Sequence, residues 1–528
     1  MEKKSLIAVV LSIIVLFVFQ SYFAKNQADK TQELSVVEKG VIVPKIVETI
    51  TGKESDSKFK AEKKLNIDYG KIKEYIFDGN KYRAVFTNMG GGGIKSFKLK
   101  DFKESIEPDA ELVERVKVER NDPLPQSFTF TGKNIQIDLD DLFDVQKLNK
   151  NEFLFRKRTK EGFRIERRYR LDPDSYKINV DIVLINESDK EIEGVPRVTL
   201  FEREFKDETD KYDVQKQIVK IGDEIETTDY KTIREESPVV KGKINWFGLE
   251  EKYFITAIIL KEDTVKRVLA DDAGGKLISS AIEFNEVAIP KGGKSIVSYS
   301  VYSGPKEMAI LKKMNVGLEE SVDMGWFKPL AEPLLRFLLF INKYTGNFGY
   351  SIIIVTILIK LLFFPLANKS YKSMGGMKKL QPQMTALKEK YKNDKQKMGK
   401  EVMALYKKNK VNPLSGCLPM IIQIPVFIAL YNVLLNTIDI RHAPFHFWIM
   451  DLSAKDPYYV TPLIMGVTMF LQQKLSPSVP DATQQKVMMF MPIIFTAMFI
   501  NLPSGLVLYW VVNNILSIGQ QYYVMKKM

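Results

Sequence analysis

A chain of 528 residues with 45% hydrophobic residues, a formal net charge of +13 and a single cysteine is long enough for more than one domain. The lone thiol, Cys417, rules out an intramolecular disulfide, and the positive charge is concentrated beside apolar segments, which argues against sequence-specific nucleic-acid binding. The mean hydropathy is near zero only because two unlike parts are averaged. Residues 25–323 are rich in Lys, Glu and Asp with no apolar run of spanning length, whereas residues 345–525 are mostly Ile, Leu, Met, Phe and Val. The first part is expected in water and the second in lipid.

The chain begins Met1-Glu-Lys-Lys-Ser5 and continues in an apolar run from Leu6 to Ala24, about 28 Å if helical. That is longer than a signal-peptide core, and Tyr22-Phe23-Ala24 is a poor cleavage site, so residues 1–24 are expected to remain as a membrane anchor. Residues 25–64 are polar, poor in aromatics, and read as a linker. From 65 to 323 the pattern has period two: Ile135, Ile137 and Leu139 alternate, as do Ile178, Val180, Ile182 and Leu184, and Val297, Tyr299 and Val301. An antiparallel β-sandwich follows. The Gly90–Gly93 run lacks the GK[ST] of a phosphate loop and reads as a turn.

Trp326, Phe327, Leu330, Leu334, Phe337, Leu338 and Ile341 recur at helical spacing with Lys328, Glu332 and Arg336 between them, predicting an amphipathic helix over 324–344 that lies on a membrane surface. Five further spans are expected at Phe348–Leu366 (segment 345–366), Leu418–Leu435 (414–436), Tyr459–Leu471, Val487–Leu502 and Gly505–Val524 (within 458–528). Between the first two of these, residues 367–413 carry two apolar stripes, Leu380, Met384, Leu387 and Tyr391, then Met398, Val402 and Leu405, around a turn at Asn393-Asp394-Lys395. A helical hairpin is expected. Charge sets the orientation of all six spans. Ala367–Asn412 holds thirteen Lys against Glu389, Asp394 and Glu401, and Lys3, Lys4, Lys474, Lys486, Lys526 and Lys527 fall on the same side, whereas the loop at 437–457 is balanced. The positive-inside rule puts both termini in the cytoplasm and residues 65–323 across the membrane.

Within the spans, Thr356, Lys360, Gln423, Asn432, Thr496, Asn513 and Asn514 need partners or water, because lipid offers neither. Lys360 alone is charged near mid-helix, a cost of roughly 2.5–3.5 kcal/mol even on lenient scales. It reads either as a functional charge or as an amine snorkelling about 9 Å to the inner surface. The spans at 459–471 and 487–502 are short, about 19–24 Å, and would thin the bilayer locally. No enzyme signature is present: His442 and His446 in "RHAPFHFW" lack a nearby acidic or thiol pair to complete a metal site, and there is no phosphate loop, nucleophile elbow or zinc-protease motif.

These segments resemble the YidC-type membrane protein insertases of bacterial inner membranes, relatives of the mitochondrial oxidase-assembly and chloroplast thylakoid insertases. The resemblance runs through "GNFGYSIIIVTILIKLLFFPL", "LQPQMTALKEKYKNDKQKMGKEVMALYKKNKVNPLSGCLPMIIQIPVFIALY", "DPYYVTPLIMGVTMFLQQKLSP" and "QQKVMMFMPIIFTAMFINLPSGLVLYWVVNNILSIGQQ". It covers about residues 320–525, with a weaker upstream match in "WFGLEEKYFITAIIL" and "YSGPKE". It implies an N-terminal anchor, a periplasmic β-supersandwich domain, a surface helix and five core helices around a hydrophilic groove open to the cytoplasm and the lipid. It also implies that the protein is not an enzyme and needs no cofactor. Its partners would be nascent membrane proteins, the ribosome, Sec translocon components and lipids.

By the same resemblance Lys360 stands where such proteins carry the groove's positive charge, more often as arginine. A lysine keeps the attraction for a carboxylate and loses the bidentate fork. Thr356 and Gln423 would line the groove, and Phe427, Met465 and Trp510 would lie on the substrate-contact path, Trp510 replacing a tyrosine. A small-solute transporter or channel and a non-catalytic membrane scaffold are the alternatives.

Overall fold

The computed structural model describes residues 69–119, 122–204, 215–261, 264–392, 394–411, 418–476 and 482–527; the expected anchor at 1–24, the linker at 25–64 and Cys417 lie outside these. The chain divides into two compact units, and the boundary between them falls between Val322 and Asp323.

The first unit is antiparallel β-structure. Lys177–Asn186 alternates half-buried and buried positions along its whole length, placing Ile178, Val180, Ile182 and Leu184 inward as the period-two pattern requires. It lies between Phe163–Leu171 and Lys294–Pro305 near the middle of a nine-stranded sheet. In a seven-stranded sheet, Leu277–Phe284 is buried at every position. The two sheets meet through Phe130 on Phe163 and Phe284 on Tyr299, ring centroids 4.7 and 6.4 Å apart. A third, four-stranded sheet, beginning at Glu74–Asp78, sends Phe86 against Tyr169, 5.1 Å between rings. The expected strand through Ile135, Ile137 and Leu139 shrinks to Gln136–Ile137, which pairs only with Phe130 and Thr131. Ile135 and Ile137 are still buried, while the chain turns at Asp138, whose amide donates to the Asp141 carboxylate.

Gly90, Gly91 and Gly92 all have positive φ, a conformation open to glycine and costly for residues with a Cβ. The turn they form is held from inside the unit. The Arg167 guanidinium, wholly buried, donates to the Gly91 and Gln126 carbonyls, and the Tyr169 hydroxyl donates to the Gly92 carbonyl.

A second buried cation sits in an ionic cluster. Arg115 reaches Glu202 at 3.0 Å and Glu251 at 2.5 Å, and Glu202 also accepts from the hydroxyl of Tyr230. Tyr230 opens helix α1 (Tyr230–Glu236), which Asp229 caps by accepting from the Thr232 amide. Burial pushes the Glu202 carboxyl up to about 7, against the pull of Arg115. A raised value means that Glu202 contributes stability fully below about pH 4.5, and that this contribution is lost as pH rises through about 7. The thermal transition of the β-unit, followed by circular dichroism in the intact protein, is therefore expected to fall between pH 5 and 8. Glu202→Gln should flatten that slope; an unchanged slope would show that the carboxyl does not titrate in this window.

The second unit is helical. After α2 (Met308–Lys313) closes the first unit, α3 spans Lys328–Thr345 and α4 Phe348–Lys379. The hairpin follows as α5 (Gln381–Lys390) and α6 (Lys395–Lys408), then α7 (Leu418–Asn436), α8 (Val460–Leu475), α9 (Ala482–Phe499) and α10 (Ser504–Lys526). On α3 the buried face is Ala331, Leu334, Leu335 and Leu338, and α7 packs on this helix. Leu330, Phe337 and Phe340 stay exposed. The helix thus has two apolar faces, one for protein and one outward, where the sequence suggests a single stripe.

The apolar segment of α4 does not end its helix: it runs through Pro365 to Lys379, 32 residues, and among the described residues it is the one helix long and apolar enough to cross a bilayer by length and composition. Asn347 caps it, accepting from the Gly349 and Tyr350 amides, while its own amide group donates to the Pro444 and Phe445 carbonyls of the loop between α7 and α8. Helix α8 has 16 residues and α9 has 18, about 24 and 27 Å. Both exceed their apolar runs because polar residues extend them by a turn. The hairpin closes on Leu380, Met384 and Tyr406, with the Tyr406 hydroxyl on the Met384 sulfur at 3.1 Å. Asp394 caps α6 by accepting from the Lys397 amide.

Candidate functional site

Helices α4, α7 and α10 enclose a cavity of about 40 Å³, room for a few water molecules. Its polar lining is Thr356 and Lys360 from α4, Gln423 from α7, and Tyr509 and Asn513 from α10; Ile359, Phe363 and Val426 supply apolar wall. Three of the residues singled out in the sequence, Thr356, Lys360 and Gln423, therefore meet in one place. Position along α4 explains the first two: they are four apart and share a face.

The polar groups are tied down by different means. Thr356 is buried and donates to the Ile352 carbonyl one turn back, 2.6 Å. Gln423 donates to the Tyr509 hydroxyl at 3.2 Å. Lys360 reaches across to α10, where its ammonium donates to the Ser517 hydroxyl at 2.7 Å, and Ser517 in turn donates to the Asn513 carbonyl. No carboxylate pairs with Lys360 among the described residues. The sequence explains why: α4, α7, α8, α9 and α10 contain no Asp or Glu at all. Among the described residues the cation at this cavity has one hydrogen-bonding partner, the Ser517 hydroxyl, and no counter-ion.

The remaining predicted residues lie apart from this group. Phe427 and Trp510 touch each other edge to face, 4.8 Å between ring centroids, in an aromatic cluster with Phe495 and Phe499. The cluster adjoins the cavity through Tyr509, whose ring lies 6.5 Å from Phe427. Met465 is wholly buried on α8 and does not line the cavity. A wholly buried side chain offers no surface in this conformation to a passing chain.

Other polar residues of these helices tie them to one another or to the segment before α3. Asn432 and Asn436 donate to the carbonyls of Met324 and Asp323, Asn514 donates to Thr468, and Gln520 donates to the Phe364 carbonyl and to Asn368. In the loop before α8, His446 shares a 2.6 Å hydrogen bond with Tyr350, and no group of residues suited to a metal occurs among the described residues.

Sequence reasoning missed Ser517 and Tyr509. The signal was available: Tyr509, Asn513, Ser517 and Gln520 follow at four, four and three residues, a polar row along a mostly apolar helix. A serine is easily passed over in a membrane helix, because it can satisfy itself on the carbonyl four residues back, as Ser517 does.

A family model described as 60Kd inner membrane protein matches residues 340–528, and one described as YidC periplasmic domain matches residues 77–337. The chain is 41% identical to the membrane protein insertase YidC of Syntrophus aciditrophicus and 38% identical to that of Geotalea daltonii, each over the full length of both proteins. Among solved structures it is similar to a crystal structure of an active YidC insertase with its first transmembrane domain resolved: 19% identity, 99% and 100% coverage, TM-score 0.38. With its antiparallel β-unit followed by a helical unit, and with whole-length relatives at this level of identity, the chain belongs to the YidC family.

Proposed function

We propose that the protein is an inner-membrane insertase that passes short polar segments of nascent membrane proteins part of the way across the bilayer while their apolar helices enter lipid. The observation that carries this reading is a cation at a polar, multi-helix cavity in a set of helices with no acidic residue. An uncompensated charge of this kind is costly, and an acidic group arriving on a substrate offsets the cost only while it is bound. The direction of the Lys360 side chain, across to α10, supports this role over snorkelling along α4.

In this reading residues 1–24 anchor the chain and 25–64 link it to a periplasmic domain at 65–323. Residues 324–344 lie on the outer surface, and 345–366, 414–436 and 458–528 supply the core spans, joined by the cytoplasmic hairpin at 367–413 and the outer loop at 437–457. Both termini are cytoplasmic. Lys360 attracts acidic groups, Thr356 and Gln423 keep the cavity wet, and the aromatic pair Phe427 and Trp510 offers a sequence-tolerant apolar surface to an emerging helix. Met465 would join that path only after α8 shifts. The short α8 lets the bilayer thin beside the cavity. Partition of the substrate helix into lipid drives the process, so no chemical step and no cofactor is needed. The lysine-rich hairpin would meet the ribosome or anionic lipid, and the periplasmic domain the Sec translocon.

Liposomes carrying the protein are expected to protect the translocated tail of a single-span substrate from added protease, whereas protein-free liposomes leave it digested. Equal digestion in both would sink the insertase reading. Uptake of a small solute without tail protection would favour a transporter instead.

A further inference from the structure

The strongest feature that the mechanism above leaves unused is the hydroxyl behind the charge. We propose that Ser517 is a positioning residue for Lys360, setting where the ammonium points when a substrate arrives; this rests on the insertase reading and on Lys360 carrying its charge.

Lysine is a point charge on a flexible four-carbon stem, with three donors and no preferred plane. On its own helix nothing holds the Lys360 amine: α4 contributes no acceptor side chain to it, and one turn and a half toward the inner end lies Leu366, beyond which an amine could find headgroups or water. Ser517 supplies the missing restraint from α10. Its oxygen accepts one ammonium hydrogen at 2.7 Å, and its own hydrogen is committed to the Asn513 carbonyl, also at 2.7 Å. The hydroxyl is thereby held with a lone pair toward Lys360, and the Tyr371 hydroxyl of α4 is a further hydrogen-bonding neighbour of the same group. Two ammonium hydrogens remain for a ligand. Ser517 is buried, 3% exposed, and does not line the cavity, so it acts on a substrate only through the lysine.

The neighbourhood fits this assignment. One turn further along the same face, Gln520 bridges to the Phe364 carbonyl and to Asn368, locking α10 to α4 at the level of the lysine's route toward the inner surface. An arginine at 360 would reach several acceptors with a planar fork; a lysine has one directed contact, and its placement depends on a single hydroxyl.

The test is insertion into liposomes of two single-span substrates that differ only in the translocated tail, one with Asp residues and one with Asn in their place. Four full-length variants are compared with wild type: Ser517→Ala, Ser517→Thr, Lys360→Gln and the double Ser517→Ala/Lys360→Gln. Loss of a hydrogen bond to a charged group predicts about a tenfold drop for the Asp-tailed substrate with Ser517→Ala. Ser517→Thr should restore it, because the hydroxyl is kept. The Asn-tailed substrate should change by less than about twofold, and Ser517→Ala should add nothing in the Lys360→Gln background. Equal losses on both tails, or a further loss on top of Lys360→Gln, would assign Ser517 a merely structural role and overturn the proposal. A drop with Lys360→Gln and none with Ser517→Ala would overturn the positioning role while leaving the charge in place. No drop with Lys360→Gln would remove the charge itself, and the positioning role with it.

Discussion

Lys360→Gln is expected to slow insertion of a substrate with an acidic translocated tail by about 10- to 100-fold, and Lys360→Arg to stay within about threefold of wild type. The size follows from competing terms. Two unit charges about 4 Å apart attract by about 4 kcal/mol at an effective dielectric constant near 20. Desolvating the substrate carboxylate and ordering the lysine stem remove part of this, leaving roughly the 1.5–3 kcal/mol typical of a hydrogen bond to a charged group, which is the quoted factor. Glutamine keeps a donor and loses the charge, so it separates charge from hydrogen bonding. Arginine keeps the charge and adds a fork. The measurement is the initial rate of tail protection in liposomes. Equal rates for the three proteins would remove the charge from the mechanism, and the cavity would then act by hydration and bilayer thinning alone.

Arg115→Met is expected to destabilise the β-unit by about 3–5 kcal/mol at pH 8, the cost of leaving buried carboxylates without their cation. Glu202 and Glu251 both depend on this guanidinium, whose side chain is 2% exposed. The double variant Arg115→Met/Glu202→Gln should recover a substantial part of the loss, since one stranded charge is gone and glutamine can still accept from Tyr230. At pH 5 the single variant should look less damaged, because Glu202 is protonated there at little cost. Thermal transitions at the two pH values check all three statements. Identical losses at pH 5 and pH 8 would mean that Arg115 matters through its packing over Phe254 and not through its charge. Function should be affected only through the amount of folded protein.

Much of this protein can be read locally. The apolar runs locate the cores of the later spans because a membrane helix must satisfy its own backbone and cover itself with apolar side chains. Ile178 to Leu184 reveals a strand because one face of a sheet is buried and the other is not. The hairpin stripes at Leu380, Met384, Val402 and Leu405 are likewise legible, and they form its core. Where local reading fell short, a distant partner intervened. The run through Ile135, Ile137 and Leu139 has the right alternation but only two paired residues opposite it. Helix α4 continues past its apolar segment and past Pro365 because nothing after Leu366 stops it before Leu380. Tyr406 entered the hairpin core unannounced, since its contact with Met384 crosses 22 positions.

By itself the sequence determined which segments suit lipid and which suit water, that Lys360 is a charge near the middle of a span, and that no acidic residue in the later spans could match it. Those are properties of composition and period, and they survive any arrangement of the helices. Only the tertiary structure decided what the charge touches. Lys360 and Ser517 are 157 positions apart, Gln423 and Tyr509 are 86 apart, and Arg115 lies 87 from Glu202. Hydrogen bonds and ion pairs are short-ranged and directional, so which acceptor a given donor finds depends on how helices and sheets pack, and no pattern along the chain encodes that choice.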